Sequence, residues 1–297
     1  MISFAIIASP PIRLHQLLFD IQLNPLAIFS LVLELASIYL YVHGRKRLST
    51  RGRDWSGTKT ASFITGVFLI WVATGSGLAS YDDSVFEMHV IQHLLLMNFA
   101  PIFIALGAPL TMATQASPRR IQVKIVAFLH SKPMLLLTFP AFTWIANLAT
   151  MYLYFLTPIY QLSLDHPLFH DYTHLQFLVV GLLFWTTAIG VDPSPWRPGI
   201  ITRLGFILSG IPFSAFLGIA IMGMRRSISP AHTLADTHAG GALLWGLGEF
   251  TNVIGLLVLV FQWSKLDARQ AKRIDRELDK QLIEEAKKNE NLNRPDS

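Results

Sequence analysis

The chain has 297 residues, of which 52% are hydrophobic and only 14% charged, against the roughly 25% charged residues of an ordinary soluble domain. That balance excludes disorder and nucleic-acid binding and argues against a soluble enzyme. Net charge is +5, but the basic residues stand in short loops between apolar runs, where they orient helices in a bilayer. The chain has no cysteine, which excludes disulfides, thiolate metal sites and thiol catalysis.

In chain order, Met1 to Ala8 is apolar but lacks a basic leader and a small-residue cleavage site, and Pro10 and Pro11 follow it. Residues 1–25 therefore read as an outer or interfacial segment rather than a signal peptide. Seven apolar stretches then have about the 20 residues needed to cross roughly 30 Å of hydrocarbon. They are Leu26 to Val42, Phe63 to Ala79, Met88 to Leu106, Met134 to Leu156, Tyr172 to Val191, Ile201 to Met224 and Gly240 to Trp263. The expected fold is all-α, a polytopic membrane bundle of seven transmembrane helices over residues 26–263. Residues 264–297 form a charged cytoplasmic tail, a solvated helix that frays at Asn289 to Ser297.

Lys and Arg fix the orientation. Arg45, Lys46, Arg47, Arg51, Arg53, Lys59, Arg119, Arg120, Lys124, Lys132, Arg197 and Arg203 fall in or beside the loops after spans 1, 3 and 5, against Arg13, Arg225 and Arg226 on the other side. The N-terminus is then outside and the C-terminus cytoplasmic. With that topology His15, His89, His93, His166, His170, His174, His232 and His238 lie outside, and only His43 and His130 inside.

In span 3, His89 and His93 stand at i and i+4, so both imidazoles leave one helix face, and Met97 continues that face. His166, His170 and His174 repeat the same four-residue step, and Pro167 is compatible with a helix that begins near Asp165. Histidines from separate helices are what a metal or haem site requires. His89, His93, His170 and His174 are the expected ligand set, with His166, His238, Asp236, Met88 and Met97 as further candidates. His232, near Pro230, reads as a loop residue. Imidazole suits zinc, copper and iron alike, whereas thioether favours Cu(I); Met88, Met97, Met222 and Met224 all lie toward the outer half. Neither His-x-x-x-His carries a Glu after its first His, which speaks against zinc hydrolysis.

Glu34 in span 1 and Glu249 in span 7 are carboxylates inside apolar runs, where an unpaired charge is costly. Each is either a proton or metal relay or an interhelical hydrogen bonder to Asn98, Asn147 or Asn252. Gly240, Gly241, Gly246, Gly248 and Gly255 let neighbouring helices approach span 7.

With these residues in view, the chain resembles the CtaG family of cytochrome c oxidase assembly factors, the multi-span kind found with bacterial haem-copper oxidases. The resemblance covers roughly residues 55 to 263. It rests on Ser80-Tyr81-Asp82, Met88-His89, Gln92-His93 through Met97, Ala100-Pro101, Gly107-Ala108-Pro109, His166-Pro167, His170-Asp171, His174-Leu175, Gly190-Val191-Asp192-Pro193, Leu244-Trp245 and Gly248-Glu249. It implies a non-enzymatic protein of the bacterial inner membrane, required for active cytochrome c oxidase through delivery of copper to an oxidase subunit. A periplasmic copper donor is a further implied partner. The residues themselves also admit a haem-binding or haem-handling protein, with one His from span 3 and one from span 5 as axial ligands. A metal- or proton-coupled transporter using Glu34 and Glu249 is another reading. An intramembrane hydrolase ranks last, since no nucleophile with a base stands at readable spacing.

Overall fold

The computed structural model describes residues 20–292; the expected lead-in Met1 to Ala8, Arg13, His15 and the last residues of the tail lie outside them. The described chain is all-helical, without a strand. Asn24 opens α1 (Pro25–Ser49) by accepting a hydrogen bond from the Ala27 N–H at 2.8 Å, with Pro25 in the first turn and Lys46 and Arg47 in the last, as the helix dipole favours. α2 (Gly57–Gly75) continues into a 3₁₀ turn, Gly77–Ser80.

The third long segment is α3 (Phe86–Leu94), a π-helical turn (Leu95–Phe99), α4 (Ala100–Gly107) and α5 (Pro109–Ala116). Pro101 explains the π turn, because it has no N–H to return to the Met97 carbonyl. The Ala100 N–H bonds five residues back, to the Leu95 carbonyl. Ala108, at φ 53°, bends the chain between α4 and α5.

α6 (Arg119–Leu129) and α7 (Lys132–Leu137) are short, followed by α8 (Pro140–Leu156) and α9 (Ile159–Asp165). α10 (Pro167–Ile189), α11 (Ile200–Met222) and α12 (Leu234–Leu292) complete the order. Among the described residues, six helical segments are long and apolar enough to cross a membrane. The expected span Met134 to Leu156 is not one of them, because Thr138 and Phe139 separate α7 from α8. The 17 residues of α8 rise only about 25 Å. The described residues divide into two compact units, one ending at Gly255 and one starting at Leu256.

Two carboxylates hold the first unit together by capping helices far away in sequence. Asp236 Oδ2 and Oδ1 accept from the Phe86 and Glu87 N–H groups at 2.8 and 3.1 Å, at the start of α3. Asp192 accepts from the Leu110 and Thr111 N–H groups, at 3.1 and 2.8 Å, and from the Thr111 hydroxyl at 2.7 Å, at the start of α5. The loop after α10 thus lies against α5. Arg51, from the loop after α1, donates to the Gln115 and Ala116 carbonyls at the other end of that helix. Three basic loops therefore gather at one end of the unit, away from the start of α3.

The main core joins Phe86, Leu94 and Met97 to Tyr154, Phe155, Tyr160, Phe177 and Leu217. At α12, a Cβ added to Gly241 would meet the Met222 backbone nitrogen at 2.9 Å, whereas Gly246 and Gly248 have nothing within 4 Å. The close approach expected along this helix is confined to some of its glycines.

Candidate metal centre

The i, i+4 pairs on α3 and α10 face one another. Ring centroids of His89 and His93 lie 4.4 Å apart, as do those of His170 and His174. Across the helices, His89 stacks on His170 at 5.1 Å and His93 meets His174 at 5.3 Å. His89 and His93 are 0% and 1% exposed and His170 is buried. One donor atom from each of His89, His93 and His170 falls within 4.8 Å of the others, and Asp82, His170 and His174 form a second such group.

The approach of α3 to α10 has a backbone cause. A Cβ at Gly181 would stand 2.2 Å from the Met97 carbonyl oxygen, so only glycine lets the helices meet there. Met97 is one turn beyond His93, and Gly181 two turns beyond His174. That contact sets the separation of the histidine layer.

The hydrogen-bond network assigns two tautomers. Ser163 Oγ donates to the Tyr160 carbonyl at 2.7 Å, so the Tyr154 hydroxyl, 2.9 Å from Ser163 Oγ, must donate to it. The Tyr154 oxygen then accepts from His89 Nε2–H at 3.0 Å, and His89 Nδ1 carries a bare lone pair. Likewise Gln92 Nε2 donates to the Ala73 carbonyl at 2.8 Å, which turns Gln92 Oε1 toward His174 Nε2, 3.1 Å away. His174 is therefore protonated on Nε2, with Nδ1 free. Among the described residues His89 Nδ1, both nitrogens of His93 and His170 Nε2 are buried without a hydrogen-bond partner. Buried polar atoms in folded proteins are usually bonded, and four open nitrogens on three neighbouring imidazoles form an arrangement that can take a cation in the missing bonds.

Two acids flank His170. Asp82 Oδ2 is 3.8 Å from His170 Nε2, and Asp83 Oδ1 is 3.3 Å from Nδ1. Burial, together with the adjacent Asp83 carboxylate, pushes the Asp82 carboxyl up to about 8. Asp83 is largely exposed, so this side links the buried imidazoles to the surroundings.

The other sequence candidates have partners of their own. Asp236 caps α3 and lies 3.4 Å from His232 Nδ1. His238 Nε2–H donates to the Met224 carbonyl at 2.9 Å. His166 is exposed at the N-cap of α10, and the helix starts at Pro167 rather than Asp165. Met88 packs with Leu78, Tyr81 and Val85, while Met97 belongs to the main core. Glu249 accepts from Ser214 at 2.6 Å and Asn252 at 3.2 Å, and Glu34 from Ser30 at 2.9 Å, both away from the imidazoles.

His232 does lie in a loop but is buried, with its Nε2 2.6 Å from the Tyr160 hydroxyl. Sequence reasoning missed Tyr154 and Gln92 as supports. Asp82 was visible only as part of a motif ahead of the third span.

No solved structure matches this chain. Uncharacterized proteins of Mycobacterium bovis and Mycobacterium tuberculosis are each 30% identical to it over 257 residues, and one of Mycobacterium leprae is 30% identical over 260. Each alignment covers 80% of this chain but 39% of the relative, so the chain spans about two fifths of the length of these proteins. The family model for the cytochrome c oxidase caa3 assembly factor, Caa3_CtaG, matches residues 39–266, a stretch that contains the whole histidine cluster and both trans-capping aspartates, and the chain belongs to that family.

Proposed function

We propose that this chain is a non-catalytic assembly factor that takes up copper, as cargo, at the outer face of the bacterial inner membrane and passes it to a cytochrome c oxidase subunit. The observation that carries the reading is the group of buried, unpartnered nitrogens on His89, His93 and His170 beside His174 and Asp82. Leaving one such atom unsatisfied costs about 1–3 kcal/mol, and an ion bound among them supplies the missing bonds. The open imidazole lone pairs can take an ion without losing a proton, whereas Asp82, held up to about 8, must release one to join them. Ligation by imidazole and carboxylate, without thiolate, is exchangeable, as a carrier requires.

Imidazole alone does not select copper over zinc. The choice of copper rests on the family, whose description names a cytochrome c oxidase. A periplasmic protein that hands copper to this site is part of the same proposal.

The placement follows from charge. With the basic loops around Arg51, Arg119 and Arg197 in the cytoplasm, the histidine end faces outward. We count seven crossings, with α7 and α8 together making the fourth, the N-terminus outside and the C-terminus inside. Residues 1–25 are then the outer segment, 26–263 the membrane domain and 264–297 a cytoplasmic tail.

The stacked geometry favours a bare ion over haem. The His89 and His170 ring centroids are only 5.1 Å apart and the helices touch at Gly181 and Met97, which leaves no room for a porphyrin between α3 and α10. Replacing His89 and His93 by Ala should abolish oxidase activity and copper content, with normal amounts of the protein in the membrane. Unchanged oxidase activity would overturn the proposal, and a haem band in the purified protein would replace it with the haem reading.

A further inference from the structure

A second binding site is carried by the opposite, basic end of the first unit. α6 has 11 residues, about 16 Å of helix, too short to cross a bilayer. Only Leu129 of its side chains is buried, and Ile121, Val123, Val126 and Phe128 are exposed beside Arg119, Arg120 and Lys124. An apolar and basic helix with so little protein against it lies in the plane of a membrane interface.

Between α6 and the end of α5 opens a cleft of about 580 Å³, lined by Arg53, Gln115, Arg119 and Gln122 on its polar part and by Val123 and Val126 on its apolar part. Arg53 and Arg119 have no ion-pair partner among the described residues, where the pairs all involve histidine. Arg51, beside them, is turned to the Gln115 and Ala116 carbonyls, which adds positive charge without neutralising any. Asp54, the acid of the same loop, makes no ion pair there either.

We infer that this cleft binds the phosphate headgroup of an anionic phospholipid, with Arg53 and Arg119 on the phosphate and Val123 and Val126 along the start of an acyl chain. The guanidinium groups supply charge and directed donors. The valines extend the site in a way that a free anion does not use. A zwitterionic lipid would bring an ammonium group into a cleft that offers no carboxylate among its lining residues. The site is independent of the histidine cluster and of the metal it takes.

The test uses the full chain in detergent, titrated with phosphatidylglycerol, phosphatidylcholine or inorganic phosphate and read by native mass spectrometry. Phosphatidylglycerol should bind, phosphatidylcholine should bind more weakly, and inorganic phosphate should fail to displace the lipid. Arg53→Gln with Arg119→Gln should weaken phosphatidylglycerol binding by about fivefold for each arginine, whereas the Lys double variant should keep most of it. The inference is overturned if the Gln variant binds phosphatidylglycerol like the wild type, or if the two lipids bind equally. Displacement by inorganic phosphate would equally overturn it, reducing the cleft to a simple anion site. Copper content of the Gln variant should stay at the wild-type value, which separates a lost lipid site from a lost fold.

Discussion

Gly181→Ala tests the backbone contact that spaces the histidine layer. The added Cβ would lie 2.2 Å from the Met97 oxygen and 2.8 Å from both Met97 C and Cα, where ordinary contact begins near 3.4 Å. All three are backbone atoms, so no side chain can turn away, and α10 must recede from α3 by about 1 Å. Overpacking of this kind costs about 1–3 kcal/mol, against a helix-propensity gain of about 1 kcal/mol for Ala over Gly. Gly246→Ala is the matched control, since nothing lies within 4 Å of its added Cβ and only the propensity gain applies. The two variants should differ by the full steric cost, with Gly181→Ala the lower in apparent unfolding midpoint in the same detergent. The recession also widens the gap between His93 and His174, so Cu(I) affinity by competition titration should fall by about 10–100-fold, as when the support of metal-bound imidazoles is disturbed. Equal midpoints and equal copper affinity for the two variants would refute the reasoning.

Gln92→Leu removes the amide that fixes His174 and leaves the Ala73 carbonyl without its donor; copper affinity should drop about 10–100-fold while the protein remains folded in the membrane fraction. Tyr154→Phe releases His89 from the Nε2–H tautomer, and we expect about tenfold weaker copper binding, visible in the same competition titration. Asp192→Ala deletes the cap of α5 and should lower stability by about 0.5–2 kcal/mol, with Asp192→Asn retaining most of it. Because Asp192 lies at the basic end, copper content of both variants should match the wild type, and a copper loss there would show that the two ends are coupled.

The two His-x-x-x-His pairs were legible because helix periodicity alone puts i and i+4 on one face. Their facing partners depend on contacts between residues about 80 positions apart, as with Gln92 and His174 or Asp82 and His170, and no local pattern encodes those. Asp236 was misleading for a physical reason. A helix cap is usually the residue just before the helix, but here Val85 holds that place with no side chain to accept a bond, and the carboxylate comes from α12. Its position two residues from His238 suggested a ligand. The expected fourth span was apolar enough throughout, but apolarity did not reveal the break at Thr138 and Phe139; Pro140 in the first turn of α8 was the available signal.

The π turn joins the local sequence to the site. A residue inserted into a helix advances everything after it by about 100°. Before the insertion, the face of α3 that meets α10 carries His89 and His93. Within the turn, Asn98 accepts from the Trp185 indole N–H of α10 at 3.2 Å, and beyond it Ala100 and Ile104 are turned to α2, where a Cβ on Gly66 would meet the Ala100 oxygen at 2.9 Å. Pro101, by withholding one N–H, fixes where the change of phase occurs, one turn beyond His93. The ligand face is kept against α10, while α4 beyond it packs against both α2 and α10. The scaffold is held by backbone contacts and trans-caps, and the imidazoles are left with nitrogens that the protein does not bond itself. The carrier role proposed above would use that division, since ligands already satisfied by the fold would have to break bonds each time an ion arrived or left.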